Sequence, residues 1–226
     1  MKYYPAYLDL RGRRCAVFGG GELAAQKVDG LRSAGAKVTV IAETFSADLE
    51  RLGLAGEIDL QRRAYRPGDL SEIDLAIDAS EDEMLGLAIS DEARETRTWL
   101  NVVDRPSLCD FIAPAIVRRG DLTIAISTGG ASPALARRIR QDLERVYGDE
   151  YGAALKVMRA IRDRLRDGAT PAGYRQAVFK ALAASPLCRY LRDGRLAEVD
   201  RLLAGIIGPE VSLASLELEF STGEEE

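Results

Sequence analysis

The sequence contains no histidine. That one absence excludes a Ser-His-Asp triad, a histidine general base and a His-ligated zinc centre. Cysteine is scarce. Cys15, Cys109 and Cys188 stand far apart and are odd in number, so neither a zinc knuckle nor a disulfide framework can be drawn. No apolar run approaches the roughly 20 residues that cross a bilayer. The first ten residues lack the apolar stretch of a secretory signal. The expectation is a cytoplasmic protein with no membrane partner. A basic excess is also missing: 31 Lys and Arg stand against 36 Asp and Glu, a net charge of −5, which argues against a nucleic-acid partner. Lysine occurs only at positions 2, 27, 37, 156 and 180, and none follows a tyrosine by four, so a Tyr-x-x-x-Lys reductase pair is discounted. Any acid–base chemistry must then rest on Asp, Glu, Lys, Tyr or a hydroxyl.

What is present is an ordinary globular composition, 46% apolar and 30% charged, over 226 residues. That length suits one large domain or two small ones. Strand and helix patterns alternate through the first half. Strands are predicted at 14–18, 37–41, 58–64, 74–79 and 98–103. Helices are predicted at 22–34, stopped by Gly35, at 46–54, capped by Ser46, and at 81–96. Such alternation argues for βαβ units and an α/β fold with a parallel sheet. Near residue 110 the pattern changes to a hairpin, with strands 111–117 and 122–126 joined through 118–121. A helix follows from Ser132-Pro133 to about 147, and everything from 150 onward reads helical. Thr170-Pro171 and Ser185-Pro186 repeat the cap-then-Pro start. Three segments result: 1–113, 114–149 and 150–226, the last ending in a solvated acidic tail at 221–226.

Gly19-Gly20-Gly21-Glu22-Leu23-Ala24 fits G-x-G-x-x-A between a strand and a helix. Glycines there allow a tight turn and a close approach to a pyrophosphate at the helix start. Glu43, with Thr44, follows the second strand, 24 residues after Gly19. A carboxylate at that place accepts hydrogen bonds from ribose hydroxyls and repels a 2′-phosphate, which favours NAD over NADP. The bland alternative is a structural turn with a surface glutamate beside it. In an open parallel sheet, ligands bind beyond the carboxyl ends of the strands. Ser80, Asn101, Val102 and Asp104 fall at that edge. Asp104 is either a group at the mouth of the site or a turn cap before Pro106.

A second segment, Ser127-Thr128-Gly129-Gly130-Ala131-Ser132-Pro133, exposes backbone N–H groups ahead of a helix carrying Arg137, Arg138 and Arg140. It suits a ligand with several carboxylates, and Arg137 with Arg140 share a helical face. The alternative is a capped helix with a solvated basic face. Cys109 lies near the cleft without a basic neighbour to make it reactive, and Cys15 reads as a core residue.

Taken together, Gly19-Gly20-Gly21 with Ala24 and Lys27, Asn101-Val102-Val103-Asp104, Phe111-Ile112-x-Pro114-Ala115, and Ser127-Thr128-Gly129-Gly130-x-Ser132-Pro133 with Ala136-Arg137 resemble the dehydrogenase–ferrochelatase module of siroheme synthases, also found as free-standing precorrin-2 dehydrogenase. The resemblance covers about residues 1–150 well and the remainder loosely. It implies a Rossmann domain, a dimerisation segment and a helical domain in a homodimer. It implies NAD-dependent oxidation of precorrin-2 to sirohydrochlorin, with ferrous iron insertion by some members; no ligand cluster is visible in the sequence, so no protein-held metal site is drawn. The family's essential aspartate matches Asp104, and its dinucleotide contacts match Glu22, Leu23, Glu43 and Thr44. Gly19, Gly21, Ser80, Asn101 and Val102 complete the expected cofactor site. Ser127, Thr128, Gly129, Gly130, Arg137 and Arg140 form the expected tetrapyrrole site. Bifunctional relatives carry a phosphorylated serine where this sequence has Thr128. The fused relatives add a methyltransferase domain, so the methylated substrate is expected from another protein. Asp104 is expected to be the base that removes a proton during aromatisation, since a desolvated carboxylate is a better base at neutral pH. The alternative from another functional class is an NAD-sensing module without chemistry.

Overall fold

Short strands that are apolar on both faces suit a parallel sheet covered on both sides. The computed structural model describes residues 3–167 and 170–220, without the side chain of residue 167. It divides into two units, Met1–Ala113 and Pro114–Glu226. In the first, β1 (Arg14–Phe18), β2 (Lys37–Ala42), β3 (Asp59–Arg62), β4 (Leu75–Asp78) and β5 (Trp99–Val102) form one parallel sheet in the order β3-β2-β1-β4-β5. This is Rossmann-type topology, and its switch point lies between β1 and β4. Period-2 alternation sends Cys15 and Val17 into one core and Ala16 and Phe18 into the other. The helices α1 (Glu22–Ser33) and α2 (Ala47–Leu54) close the first core through Ala24, Val28, Leu31, Leu49 and Leu52. Helix α3 (Glu83–Thr96) closes the second through Ile89 and Ala93. Gly35, at φ +81°, stops α1 as expected.

Three details of this unit differ from the sequence pattern. Helix α3 begins at Glu83, because Glu81 turns into the left-handed region (φ +62°) and Asp82 caps instead, accepting from the N–H groups of Met84 and Leu85 at 2.9 and 3.1 Å. Strand β3 is confined to Asp59–Arg62. Ser46 occupies the N-cap position of α2 but makes no capping hydrogen bond, and its buried Oγ has no partner among the described residues.

The second unit opens with the antiparallel pair β6 (Ala115–Arg119) and β7 (Leu122–Ile126). Strand β6 starts four residues later than expected. Pro114 has no N–H to contribute, and Phe111 packs against the first unit's core with its carbonyl held by Asn101. The turn is therefore Gly120-Asp121, with Arg118 and Arg119 inside the strand. Helices α4 (Pro133–Val146) and α5 (Asp149–Asp167) pack on the hairpin. Helices α6 (Ala172–Ala184), α7 (Leu187–Arg192) and α8 (Leu196–Ile206) build a core with α5 around Val157, Ile161, Leu182, Leu187, Val199 and Leu203. Pro171 and Pro186 stand at the N-cap positions of α6 and α7, one place earlier than expected. Helix does not continue to the end: after Ile206 the chain turns, with one 3-10 turn at Ala214–Leu216. The tail at 221–226 lies outside the described residues. No described helix is long and apolar enough to cross a membrane.

Candidate functional site

The three glycines after β1 have different physical reasons. Gly19 sits at φ +110°, and a Cβ there would lie 2.6 Å from the Ala79 carbonyl oxygen. It lets the end of β1 approach the end of β4. At Gly20 a Cβ would fall 1.8 Å from the Thr44 carbonyl oxygen, and the Gly20 carbonyl accepts from the Ser46 N–H at 2.7 Å. Gly20 welds the loop to the β2–α2 connection. Gly21 is the N-cap of α1 and has open space where its Cβ would be. No side chain caps this helix, so the N–H groups of its first turn, from Glu22 and Leu23 onward, are offered outward. A dinucleotide pyrophosphate fits this arrangement: an uncapped helix start, a bare Cα, and the positive end of the helix dipole. Glu43 and Thr44 are exposed at the end of β2 beside it.

Across the switch point stands a residue the sequence pattern did not single out. Asp78 ends β4, in register with Phe18, and is only 2% exposed. Its carboxylate accepts the Ser80 N–H at 3.0 Å. Burial pushes its pKa up, against the hydrogen bonds from Ser80 and the charge of Arg105. A Cβ at Gly86 of α3 would come within 2.9 Å of Asp78 Oδ2, so the helix glycine makes room for the carboxylate. The signal available in the sequence was an acid inside an otherwise apolar strand. Ser80 is thereby fixed from beneath, and its Oγ accepts the Asp82 N–H at 3.2 Å.

At the end of β5, the side chains of Asn101 and Asp104 separate. Asn101 is buried and donates through Nδ2 to the Phe111 carbonyl at 2.9 Å, so its amide ties down the chain leaving this unit. Val102 is buried beside Asp78 in the β4–β5 register. Asp104 lies in the left-handed region at φ +60°, a conformation Asp tolerates better than most residues. The side chain is exposed, in keeping with a place at the mouth and without desolvation by the chain itself, and it has no hydrogen-bond or ion-pair partner among the described residues. The thiol of Cys109 faces the carbonyls of Val102 and Arg105 at 3.2 and 3.3 Å. Burial raises its pKa, so it is an unreactive thiol bracing this turn.

In the second unit, the segment after β7 is a built loop. Ser127 Oγ accepts the Gly129 N–H at 3.1 Å. Thr128 Oγ1 accepts the Ser132 N–H at 3.1 Å and donates to the Ser132 carbonyl at 3.0 Å. Ser132 caps α4 by accepting the Leu135 N–H at 3.2 Å. Gly129 and Gly130 take φ +64° and +87°, and both are exposed with open space at the Cβ position. Arg137 is exposed and has no ion pair among the described residues, whereas Arg140 is held by Glu144 and Arg138 lies 3.3 Å from Asp142. The expected Arg137–Arg140 pair is thus one free cation and one neutralised one. The i,i+4 spacing of Arg140 and Glu144 could have revealed this.

Matches to known families span both loops. A family model described as putative NAD(P)-binding matches residues 6–115, and one described as sirohaem biosynthesis protein central matches residues 119–145. The siroheme synthase of Methylococcus capsulatus is 36% identical over 203 residues, which are 90% of this chain and 43% of that one. The siroheme synthase of Pseudomonas fluorescens is 36% identical over 218 residues, covering 96% of this chain and 47% of its own. The chain therefore spans less than half the length of these relatives. A solved structure titled "SirC, precorrin-2 dehydrogenase" superposes with a TM-score of 0.76 at 26% identity, covering 90% of this chain and 98% of that one. Over about 90% of its length the chain is thus similar to one part of siroheme synthases and to a structure titled as a precorrin-2 dehydrogenase.

Proposed function

We propose that this chain binds NAD and oxidises precorrin-2 to sirohydrochlorin. The observation that carries the reading is the placement of an uncapped helix start at Gly21–Leu23 and an unpaired carboxylate at Asp104 on the same carboxyl edge of one parallel sheet. The likeness over nearly the whole length of a structure titled as a precorrin-2 dehydrogenase supports it. In the reaction the substrate gives up a hydride and a proton. When bound, NAD supplies the hydride acceptor. The N–H groups of Glu22 and Leu23 hold the pyrophosphate, and Glu43 with Thr44 receives the ribose. Asp104 takes the proton, and a tetrapyrrole lying over the edge would desolvate its carboxylate and make it a stronger base. Ser127–Gly130 and Arg137, in the second unit, offer N–H groups and a cation suited to substrate carboxylates. The reading includes a cytoplasmic homodimer, with ferrous iron as a further substrate for the sirohydrochlorin product. Segment 114–149 is the dimer-forming part and 150–226 the helical domain. The β6–β7 pair is a sheet of only two strands, and α4 leaves Leu135 and Val146 exposed, a surface suited to a second copy.

The test is NADH formation, followed by absorbance, on adding precorrin-2. Dinucleotide binding without turnover would favour the NAD-sensing alternative. Glu43→Ala is expected to weaken NAD binding by about 1–3 kcal/mol, two ribose hydrogen bonds being lost. Isothermal titration measures it, and an unmodified chain that prefers NADP would remove Glu43 from the reading. Gly129→Val is expected to raise KM for precorrin-2 and leave Kd for NAD unchanged. Valine pays conformational strain at φ +64° of order 1–3 kcal/mol, but meets no atom of its own chain. An unchanged KM would make this loop a helix cap only.

A further inference from the structure

The corner between β2 and α2 holds a cation that the proposed site does not use. Arg62 ends β3 directly across from Ala42, the residue before Glu43. Its guanidinium carbon lies over the Phe45 ring, 4.9 Å from the centroid, and Phe45 is packed against the core. Its NH2 group is paired with Glu50 in the first turn of α2. Both partners keep substantial exposure, 55% for Arg62 and 39% for Glu50. The neighbouring Arg63 is committed elsewhere, through two bonds of 2.7 Å to Asp69. One planar cation, fixed on an aromatic ring, therefore ends the strand paired with the one that leads into Glu43, the residue that would meet the ribose 2′ position.

That guanidinium has the chemistry of a phosphate receptor. In Rossmann-type sites an arginine near the acid after β2 is what accommodates a 2′-phosphate. Here that arginine is occupied by a carboxylate. We propose that Glu50 helps set dinucleotide choice by holding Arg62, so that this corner is a masked receptor for the 2′-phosphate of NADP. The inference rests on the NAD reading above and deepens it: Glu43 repels the phosphate, and Glu50 withholds the cation that would otherwise attract it. The Arg62–Glu50 pair is exposed and contributes little to folding, so it can be broken without loss of the fold.

The experiment is calorimetric titration of the parent chain, Glu50→Gln, Arg62→Ala and the double variant with NAD, NADP and 2′-AMP. Glu50→Gln is expected to bind NADP and 2′-AMP about five- to tenfold more tightly than the parent, even with Glu43 present. NAD affinity should stay within about twofold, and melting temperatures should match the parent. Adding Arg62→Ala to Glu50→Gln should abolish the gain. An NADP affinity unmoved by Glu50→Gln, or a gain that survives loss of Arg62, overturns this inference while leaving the NAD reading intact. A parent chain that binds neither dinucleotide overturns the NAD reading and this inference with it.

Discussion

Replacing Asp104 with alanine is expected to lower precorrin-2 turnover by about 10²–10⁴-fold, the contribution of a positioned general base, while Kd for NAD stays at the parental value. The carboxylate is assigned to the proton and not to the dinucleotide, whose proposed contacts lie at the ends of β1 and β2. Asp104→Asn is the sharper variant. Asparagine tolerates the left-handed conformation at φ +60° as aspartate does, so the turn and the melting temperature should survive. What is lost is the ability to accept a proton. Alanine adds a backbone penalty of about 1–2 kcal/mol, so the two variants should share the kinetic loss but differ in stability. Single-turnover NADH absorbance with melting curves reads both quantities. Near-parental turnover in Asp104→Asn would remove the residue from the chemistry.

Much of the first unit was legible because its signals are local. An apolar run, three glycines and an amphipathic helix occur in one short stretch, and a parallel sheet buried on both faces demands such runs. Glu43 and Asp104 were readable as residues that follow strands, since loops after parallel strands share one edge. The less legible features depend on partners distant in sequence. Asp78 reads as one more strand residue until Gly86, on the helix that covers it, is seen to leave space for a carboxylate. Asn101 has the right position for a site residue, but its amide is satisfied by the Phe111 carbonyl. The same bond helps to delay β6, so one cross-chain contact accounts for two departures from the pattern. Arg62 was invisible as a candidate because its meaning comes from Phe45 beneath it and Glu50 beside it. In the second unit the Ser127–Pro133 loop was readable from its glycines and cap, whereas the end of the last helix was not. Leu213 and Leu216, which read as more helix, pack on the helical core from a turn.

The glycine loop offers a second large effect, in which two adjacent residues should fail for opposite reasons. Gly20→Ala is expected to destabilise the first unit. Its Cβ would lie 1.8 Å from the Thr44 carbonyl oxygen and 3.0 Å from the Ala42 Cβ, so backbone must move rather than a flexible side-chain tip. Overpacking of this kind costs about 1–3 kcal/mol or more. In a chain of this size that corresponds to a melting temperature lower by roughly 2–4 °C per kcal/mol. NAD binding should fall with it, because the shifted strand end carries Glu43 and Thr44. Gly21→Ala meets no atom within 4 Å, and the backbone there, at φ −83°, is open to any residue. Its stability loss should stay below about 1 kcal/mol, the difference between glycine and alanine at a helix N-cap. The new methyl would nevertheless stand where the pyrophosphate must approach the first-turn N–H groups, so Kd for NAD should rise by more than about tenfold, as for a lost close contact to a charged group. Melting curves and NAD titrations on the pair separate the two effects. If Gly21→Ala binds NAD as the parent does, the dinucleotide does not lie across this helix start, and the placement of the cofactor fails while the fold description stands.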